Sequence, residues 1–230
     1  MMGEIDYYSE KLSASRLKRC YEIATPRIQQ YLEAEIQYVL SNIKASDIVL
    51  ELGCGYGRVL ARLARKAKLV YGIDTSEESL KCAQEFLSGH TNVELHKMDA
   101  ASLDFQNQMF NTVIAIQNGI SAFKVDPYKV IRESIRVAKS GGRILFSSYS
   151  EKIWDARLDW FIKQSEEGLL GEIDLDKTGN GVIVCKDGFI ARTYTPEDFL
   201  RINSDLKLNA TIEEVDESSI FCVIQINHNH

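Results

Sequence analysis

No CxxC pair and no Cys/His cluster occurs in this chain. Its five cysteines, Cys20, Cys54, Cys82, Cys185 and Cys222, are scattered and odd in number, so neither a disulfide framework nor a zinc site is indicated, and free thiols in a reducing compartment are expected. Excess base is missing too. A formal charge of −6 argues against a polyanion as the main partner, although it leaves room for a local basic patch. The opening MMGEIDYYSEK carries acid where a secretory leader carries base, and no apolar run is long enough to span a bilayer. A cytoplasmic protein with no membrane or nucleic-acid partner is therefore expected. Internal repeats and low-complexity tracts are absent as well. The terminal His228-Asn229-His230 reads as a polar tail, with metal binding as its alternative, and no resident metal is expected.

What the chain does have is alternation. Apolar runs at 47–52 (DIVLEL), 69–74 (LVYGID), 92–99 (NVELHKMD), 112–118 (TVIAIQN) and 143–150 (RILFSSYS) are separated by helical patterns, the signature of a parallel sheet covered by helices. Val59, Leu60, Leu63, Ala64 and Ala67 mark the buried stripe after the first strand. Ser76 caps the next helix, and a helix from about Pro127 to Lys139 is expected to stop at Ser140-Gly141-Gly142. Residues 151–167 read as helix, 181–194 as a hairpin turning at Asp187-Gly188, and Thr195-Pro196 as a helix start. Two runs close the chain with almost no linker and are expected to pair antiparallel. The whole predicts an α/β chain: a Rossmann-like, doubly wound, seven-stranded sheet with an antiparallel last strand, a helical N-terminal lid and a β-hairpin insertion. The lid occupies 1–45, where Ile28, Leu32, Ile36, Leu40 and Ile43 form a packing stripe, and the main domain runs over 46–230 with its insertion at about 151–195.

One run concentrates the chemistry. VLELGCGYG at 49–57 is a strand, an acid, and glycines at 53, 55 and 57, which lets the backbone turn tightly and brings a ligand against main-chain amides. Glu51, Asp74 and Asp99 fall at the ends of three successive strands, where doubly wound sheets bind ligands. There Asp74 is suited to accept both hydroxyls of a ribose, and Asp99 to accept from an exocyclic amine such as that of adenine. A nicotinamide dinucleotide loop reads GxGxxG, whereas here Arg58 holds the third glycine position. The acid before the loop disfavours a pyrophosphate and suits an ammonium or sulfonium cation.

ELGCGYG, the VYGID strand end, KMDAASLDF, FNTVIAIQN and RVAKSGGRILF, in that order over roughly 45–150, resemble the class I S-adenosylmethionine-dependent methyltransferases. The resemblance implies S-adenosyl-L-methionine as cofactor, with S-adenosyl-L-homocysteine as product. It implies that Glu51, Gly53, Gly55 and Gly57 surround the methionine part, that Asp74 with Thr75 and Ser76 holds the ribose, and that Asp99 and Ala100 face adenine. Gln117 and Asn118 then stand beside the reactive methyl, while Tyr21 and Arg27 lie where a lid folds over the cofactor. The stretch IQNGISAF is loosely similar to glycine and related amine N-methyltransferases, pointing to small amines or amino acids.

Methyl transfer from a sulfonium is an in-line displacement that chiefly needs alignment and exclusion of water. Catalytic candidates are Tyr21, Asn118, Tyr149 and Arg192. Other aromatic or basic side chains of interest are Tyr7, Tyr8, Tyr56, Trp154, Trp160 and Tyr194, with His90 and His96 as candidate bases. Base-modifying enzymes often carry an Asn/Asp-Pro-Pro-aromatic run after the fourth strand, and here that position reads Gln117-Asn118-Gly119-Ile120. The leading expectation is a methyltransferase for a small molecule, acting as monomer or homodimer. The alternatives are a cofactor-binding regulator without turnover, a protein or nucleic-acid methyltransferase, and, more distantly, a nicotinamide oxidoreductase.

Overall fold

The computed structural model describes residues 14–227, and among these residues nine strands, eight α-helices and one short 3-10 helix (Glu151–Ile153) follow one another. The strands are β1 (Ile48–Leu52), β2 (Leu69–Asp74), β3 (Val93–Lys97), β4 (Phe110–Ala115), β5 (Ala138–Tyr149), β6 (Val182–Val184), β7 (Ile190–Arg192), β8 (Ala210–Val215) and β9 (Ser219–Gln225). The helices are α1 (Ala14–Glu22), α2 (Pro26–Asn42), α3 (Leu60–Leu63), α4 (Glu77–Phe86), α5 (Gly119–Ala122), α6 (Pro127–Val137), α7 (Trp154–Glu166) and α8 (Pro196–Leu206). Seven strands form one sheet in the order β3-β2-β1-β4-β5-β9-β8, and β6 pairs with β7 separately. The first five are parallel, and β9 runs against both β5 and β8. This is the Rossmann-like sheet with an antiparallel last strand that the alternation predicts.

Strand residues divide between two cores because successive side chains point to opposite faces. Leu50, Leu52, Val113, Ile144 and Phe146 pack on the face covered by α6 and α8, whereas Val49, Val70, Ile114, Leu145 and Phe221 pack on the other. The second face receives Ile36 and Val39 from α2 and Ile43 just past its end, together with the Val59, Leu60, Leu63, Ala64 and Ala67 stripe. A third core lies outside the sheet. The first half of α2, with Ile28, Tyr31 and Leu32, packs there against Trp160 and Phe161 of α7 and Ile183 and Ala191 of the hairpin. One helix thus fastens the preface to the sheet at one end and to the insertion at the other.

Four local features depart from the sequence expectations. Ser140-Gly141-Gly142 is not a helix stop, since α6 ends at Val137 and β5 begins at Ala138. The glycines instead form a kink. Gly141 has φ +75°, its N–H donates to Ile226 O, and a Cβ on Gly142 would sit 2.8 Å from Asn111 O. The helix after β1 keeps only four regular residues. Strand β4 ends at Ala115, earlier than its apolar run, because Gln117 and Asn118 turn left-handed with φ of 57° and 62°. Asp99 lies past the end of β3 in a turn closed by the Ala101 N–H donating to its Oδ1 at 2.8 Å. Tyr7, Tyr8 and the 228–230 tail lie outside the described residues.

Gly72 of β2 illustrates how tightly the sheet supports the loop after β1. A Cβ there would lie 2.5 Å from Leu60 Cδ1 and 2.9 Å from Cys54 Sγ. Gly72→Ala is expected to cost about 1–3 kcal/mol by overpacking, read as a lower urea midpoint at unchanged m-value; an unchanged midpoint would show that Leu60 and Cys54 have room to yield.

Candidate functional site

The loop after β1 takes its shape from three left-handed glycines, Gly53, Gly55 and Gly57, with φ of 71°, 53° and 87°. No residue with a Cβ adopts such angles in succession without strain. Asp74, at the end of β2, clamps the loop: its Oδ2 accepts the Gly55 N–H and its Oδ1 the Ser76 N–H, both at 2.8 Å. The Cys54 N–H donates to Ile73 O at 2.8 Å and that of Gly57 to Cys54 O at 2.9 Å. These amides are spent inside the protein. In place of the amide cradle expected of a glycine turn, the loop is fastened to an acid and offers little to a pyrophosphate.

Beside the loop lies a cavity of about 490 Å³. Of the residues expected to hold a cofactor, Tyr21, Glu51, Gly53, Gly55, Asp74, Thr75, Asp99, Ala100 and Gln117 line it. The sheet order explains their grouping. Strands β3, β2 and β1 bring Asp99, Asp74 and Glu51 to one half, and β4 and β5 bring Gln117 and Tyr149 to the other. Helix α1 covers the loop, with Leu17 so close that a Cβ on Gly55 would lie 2.9 Å from its Cδ2. Tyr21 packs against Tyr56 and Trp160, at ring-centroid distances of 6.1 and 6.3 Å, and donates to Gln117 Oε1 at 3.3 Å.

Glu51 is 4 % exposed, and its Oε2 has no hydrogen-bond partner. Burial holds its pKa well above the usual carboxylate range, with the neighbouring Arg58 opposing and Asp74 adding to that shift. Arg58 lines the same cavity with its guanidinium 4.5 Å from the Tyr21 ring centroid, and its Nε and Nη2 also lack partners. A buried acid and a guanidinium, each with open hydrogen-bonding atoms, match the ammonium and carboxylate of an α-amino acid.

Several sequence candidates stand elsewhere. Arg27 does not reach the cavity; it pairs with Asp216 at 2.6 Å and donates to Asp216 O at 2.7 Å, tying α2 to the turn before β9. Asn118 is buried in a structural bond network, donating to Arg192 O and accepting from Ser148 Oγ. Arg192 itself pairs with Asp198 at 3.0 Å and lies over Tyr194. Gly57 turns the chain behind the loop, where a Cβ would strike Leu87. Ser76 caps α4. Tyr56 lines the cavity, while Trp154, Tyr194, His90 and His96 do not. His96 stacks on Tyr71 at 5.8 Å.

Three buried polar residues escape a reading by motif: Gln164, which lines the cavity, and Glu35 and Arg157, which bond to residues around it. Glu35, 0 % exposed on α2, accepts the Gln117 N–H at 2.6 Å and the Ser219 hydroxyl. Burial raises its pKa to about 7, against the opposing hydrogen bonds from Ser219, Ser147 and Gln117. A glutamate within the buried stripe of Tyr31, Leu32 and Ile36 is the signal that marks it. Gln164 and Arg157 stand on α7 in register with Trp160 and Phe161, at 3 % and 0 % exposure. Arg157 donates to Thr193 Oγ1 and Ala191 O, with its guanidinium 4.1 Å from the Tyr149 centroid.

A family model described as a methyltransferase domain matches residues 49–142. Over 106 residues the chain is 35 % identical to a demethylmenaquinone methyltransferase of Clavibacter sepedonicus, covering 46 % of this chain and 42 % of that protein. Over 75 residues it is 40 % identical to a "Probable ribosomal RNA small subunit methyltransferase A" of Methanococcus maripaludis, covering 33 % and 28 %. The chain thus spans less than half the length of these curated relatives. A crystal structure of a SAM-dependent methyltransferase from Aquifex aeolicus shares the fold, with TM-score 0.62 at 18 % identity over 90 % of this chain and 96 % of that one.

Glu35 links stability to pH. Its folded pKa of about 7 exceeds the ordinary 4.5, so between those values the folded chain holds more protons than the unfolded one, and stability falls as pH rises. Glu35→Gln does not titrate. Urea unfolding across this window is expected to show wild type losing stability relative to the variant as pH rises, and parallel curves would contradict the assignment.

Proposed function

We propose that this chain, a class I methyltransferase in its fold and in the matched residues 49–142, binds S-adenosylmethionine and methylates a small-molecule acceptor. The single observation carrying the cofactor reading is the buried Glu51 carboxyl with an unpartnered oxygen, set at the glycine loop beside an Arg58 guanidinium whose Nε and Nη2 lack hydrogen-bond partners. That pair fits the amino-acid end of the cofactor: Glu51 would meet the ammonium and Arg58 the carboxylate. Asp74 would accept from the ribose hydroxyls with its remaining lone pairs, while Asp99, at the rim beside Met98 and Ala100, would accept from the adenine amine. When bound, the cofactor supplies a sulfonium-linked methyl group open to in-line displacement.

The chain's own contribution is enclosure and placement. Trp160 and Phe161 of α7, Phe189 of the hairpin and Tyr21 of α1 line the cavity away from the sheet, which excludes water from the reacting pair and limits an acceptor to the space inside. Glu35 fixes the backbone at Gln117 where β4 ends. Tyr149, buried at the end of β5, keeps its phenol protonated because burial raises its pKa, with Arg157 opposing. Gln117 and Tyr149, which line the cavity, would then orient an acceptor without forming a covalent intermediate. The match to the ribosomal RNA enzyme lies within 33 % of this chain, and the enclosing aromatics and the formal charge of −6 favour a small acceptor over a polyanion. Among the described residues no helix is long and apolar enough to cross a membrane.

Isothermal titration is expected to show binding of both S-adenosylmethionine and S-adenosylhomocysteine, and failure of both at high micromolar levels would sink the reading. Asp74→Ala should weaken binding by about 1–3 kcal/mol through lost charge-assisted hydrogen bonds. Burial raises the Glu51 pKa and an adjacent ligand cation would lower it, so titrations in buffers of different ionisation enthalpy should report proton release on binding that Glu51→Gln diminishes. Equal release from the variant would remove Glu51 from the site.

A further inference from the structure

The half of the cavity over β4 and β5 differs in chemistry from the half that holds the acids. Its lining comes from three elements that share the core outside the sheet, with Tyr149 at the end of β5, Trp160, Phe161 and Gln164 on α7, and Phe189 beside the hairpin. Among the described cavity-lining residues the carboxylates are Glu51, Asp74 and Asp99, all delivered by β1, β2 and β3 to the opposite half. The open polar atoms on this side are amide donors. Gln164 is 3 % exposed, and its Nε2 has no partner; Gln117 has its Oε1 taken by Tyr21, leaving its Nε2 likewise unpartnered. An amide buried against the aromatics of a cavity and left open forfeits a hydrogen bond unless a ligand supplies an acceptor.

A cationic acceptor would need a carboxylate or the open faces of aromatic rings. Here two rings already have a guanidinium over a face, Tyr149 under Arg157 at 4.1 Å and Tyr21 under Arg58 at 4.5 Å. With two buried amide nitrogens left without partners, a guanidinium over one face of Tyr149 and one face of Tyr21, Glu35 engaged by the Gln117 N–H and Ser219 beneath the lobe, and the cavity-lining acids arriving on β1, β2 and β3, the lobe is complementary to an electron-rich ring.

Resting on the methyltransferase reading for its role as the acceptor lobe, we propose that it is a binding subsite for a planar aromatic bearing oxygen acceptors, a phenol or aromatic acid, that Gln164 recognises through Nε2, with Gln117 as the second donor. The subsite selects against protonated amines. This narrows the amine or amino-acid expectation drawn from IQNGISAF to a different class.

The test is equilibrium binding to the full chain saturated with S-adenosylhomocysteine, read by tryptophan fluorescence and titration calorimetry. The probes are 3,4-dihydroxybenzoate and catechol, with tyramine as a ring of similar size carrying an ammonium. The oxygen-rich probes are expected to bind at least tenfold more tightly than tyramine. Gln164→Leu and Gln164→Met should each weaken 3,4-dihydroxybenzoate tenfold or more, and Gln164→Glu should weaken that anion further, all with S-adenosylhomocysteine affinity within twofold of wild type. That retained affinity doubles as the check on folding. Tighter binding of tyramine, no binding by either oxygen-rich probe, or unchanged probe affinity in both Gln164→Leu and Gln164→Met would overturn the subsite. Should S-adenosylhomocysteine itself fail to bind, the same titrations on the unloaded protein separate the two ideas: loss of 3,4-dihydroxybenzoate binding in the Gln164 variants would uphold the subsite while the cofactor reading fell.

Discussion

Asp74 is the fastening on which the site depends. Its two carboxylate oxygens take one backbone N–H from the glycine loop and one from the start of α4, so the end of β2 sets the conformation of the turn after β1. Hydrogen bonds to a charged group contribute about 1.5–3 kcal/mol each, enough to hold three left-handed glycines at alternate positions in register with their neighbours. The consequence is chemical as well as mechanical. Once Asp74 and Ile73 have taken the Gly55 and Cys54 amides, the loop has fewer N–H groups to offer a phosphate, and the carboxylates beside it suit the cation of the proposed cofactor.

From that fastening the strand order separates two kinds of surroundings. The acids arrive on β1, β2 and β3, while β4 and β5 deliver an amide and a phenol beneath an aromatic cap. Helix α2 holds the two together. Its C-terminal half is embedded in a sheet core, its N-terminal half in the cap, and between them Glu35 reaches under the end of β4 to grip Gln117. Both Gln117 and Asn118 occupy the left-handed region, a conformation that persists only where neighbouring bonds determine it. The Glu35 and Ser147 bonds to the Gln117 N–H and the Arg192 and Ser148 bonds to the Asn118 side chain supply that determination.

Local signals made much of this legible in the sequence. The apolar runs located the seven strands of the main sheet, and Ser76 and Thr195 announced the caps that the structure shows accepting from Ser79 and Asp198. Asp187-Gly188 marked the hairpin turn, where Gly188 takes φ +97°. Ser140-Gly141-Gly142 misled because a helix stop and a strand kink ask for the same residue, and only the pairing of the chain end at Ile226 distinguishes them. Arg27 misled for a related reason: its position in the preface was right for a lid, but its direction was set by Asp216, nearly two hundred residues away. Glu35, Arg157 and Gln164 were hidden because each lies in a helical stripe that reads as packing. A buried polar residue discloses its role only through its partners or their absence, and those come from other parts of the chain.

Under the proposed function, Glu51, Arg58 and Asp74 form the recognition surface for an amino-acid-bearing nucleoside. A crystal structure of the chain with S-adenosylhomocysteine tests it most directly. The predicted result places the ligand ammonium within hydrogen-bond distance of Glu51, its carboxylate at Arg58 and its ribose hydroxyls on Asp74. A complex in which the ribose leaves Asp74 untouched, or in which Glu51 and Arg58 keep their unpartnered atoms, would contradict it.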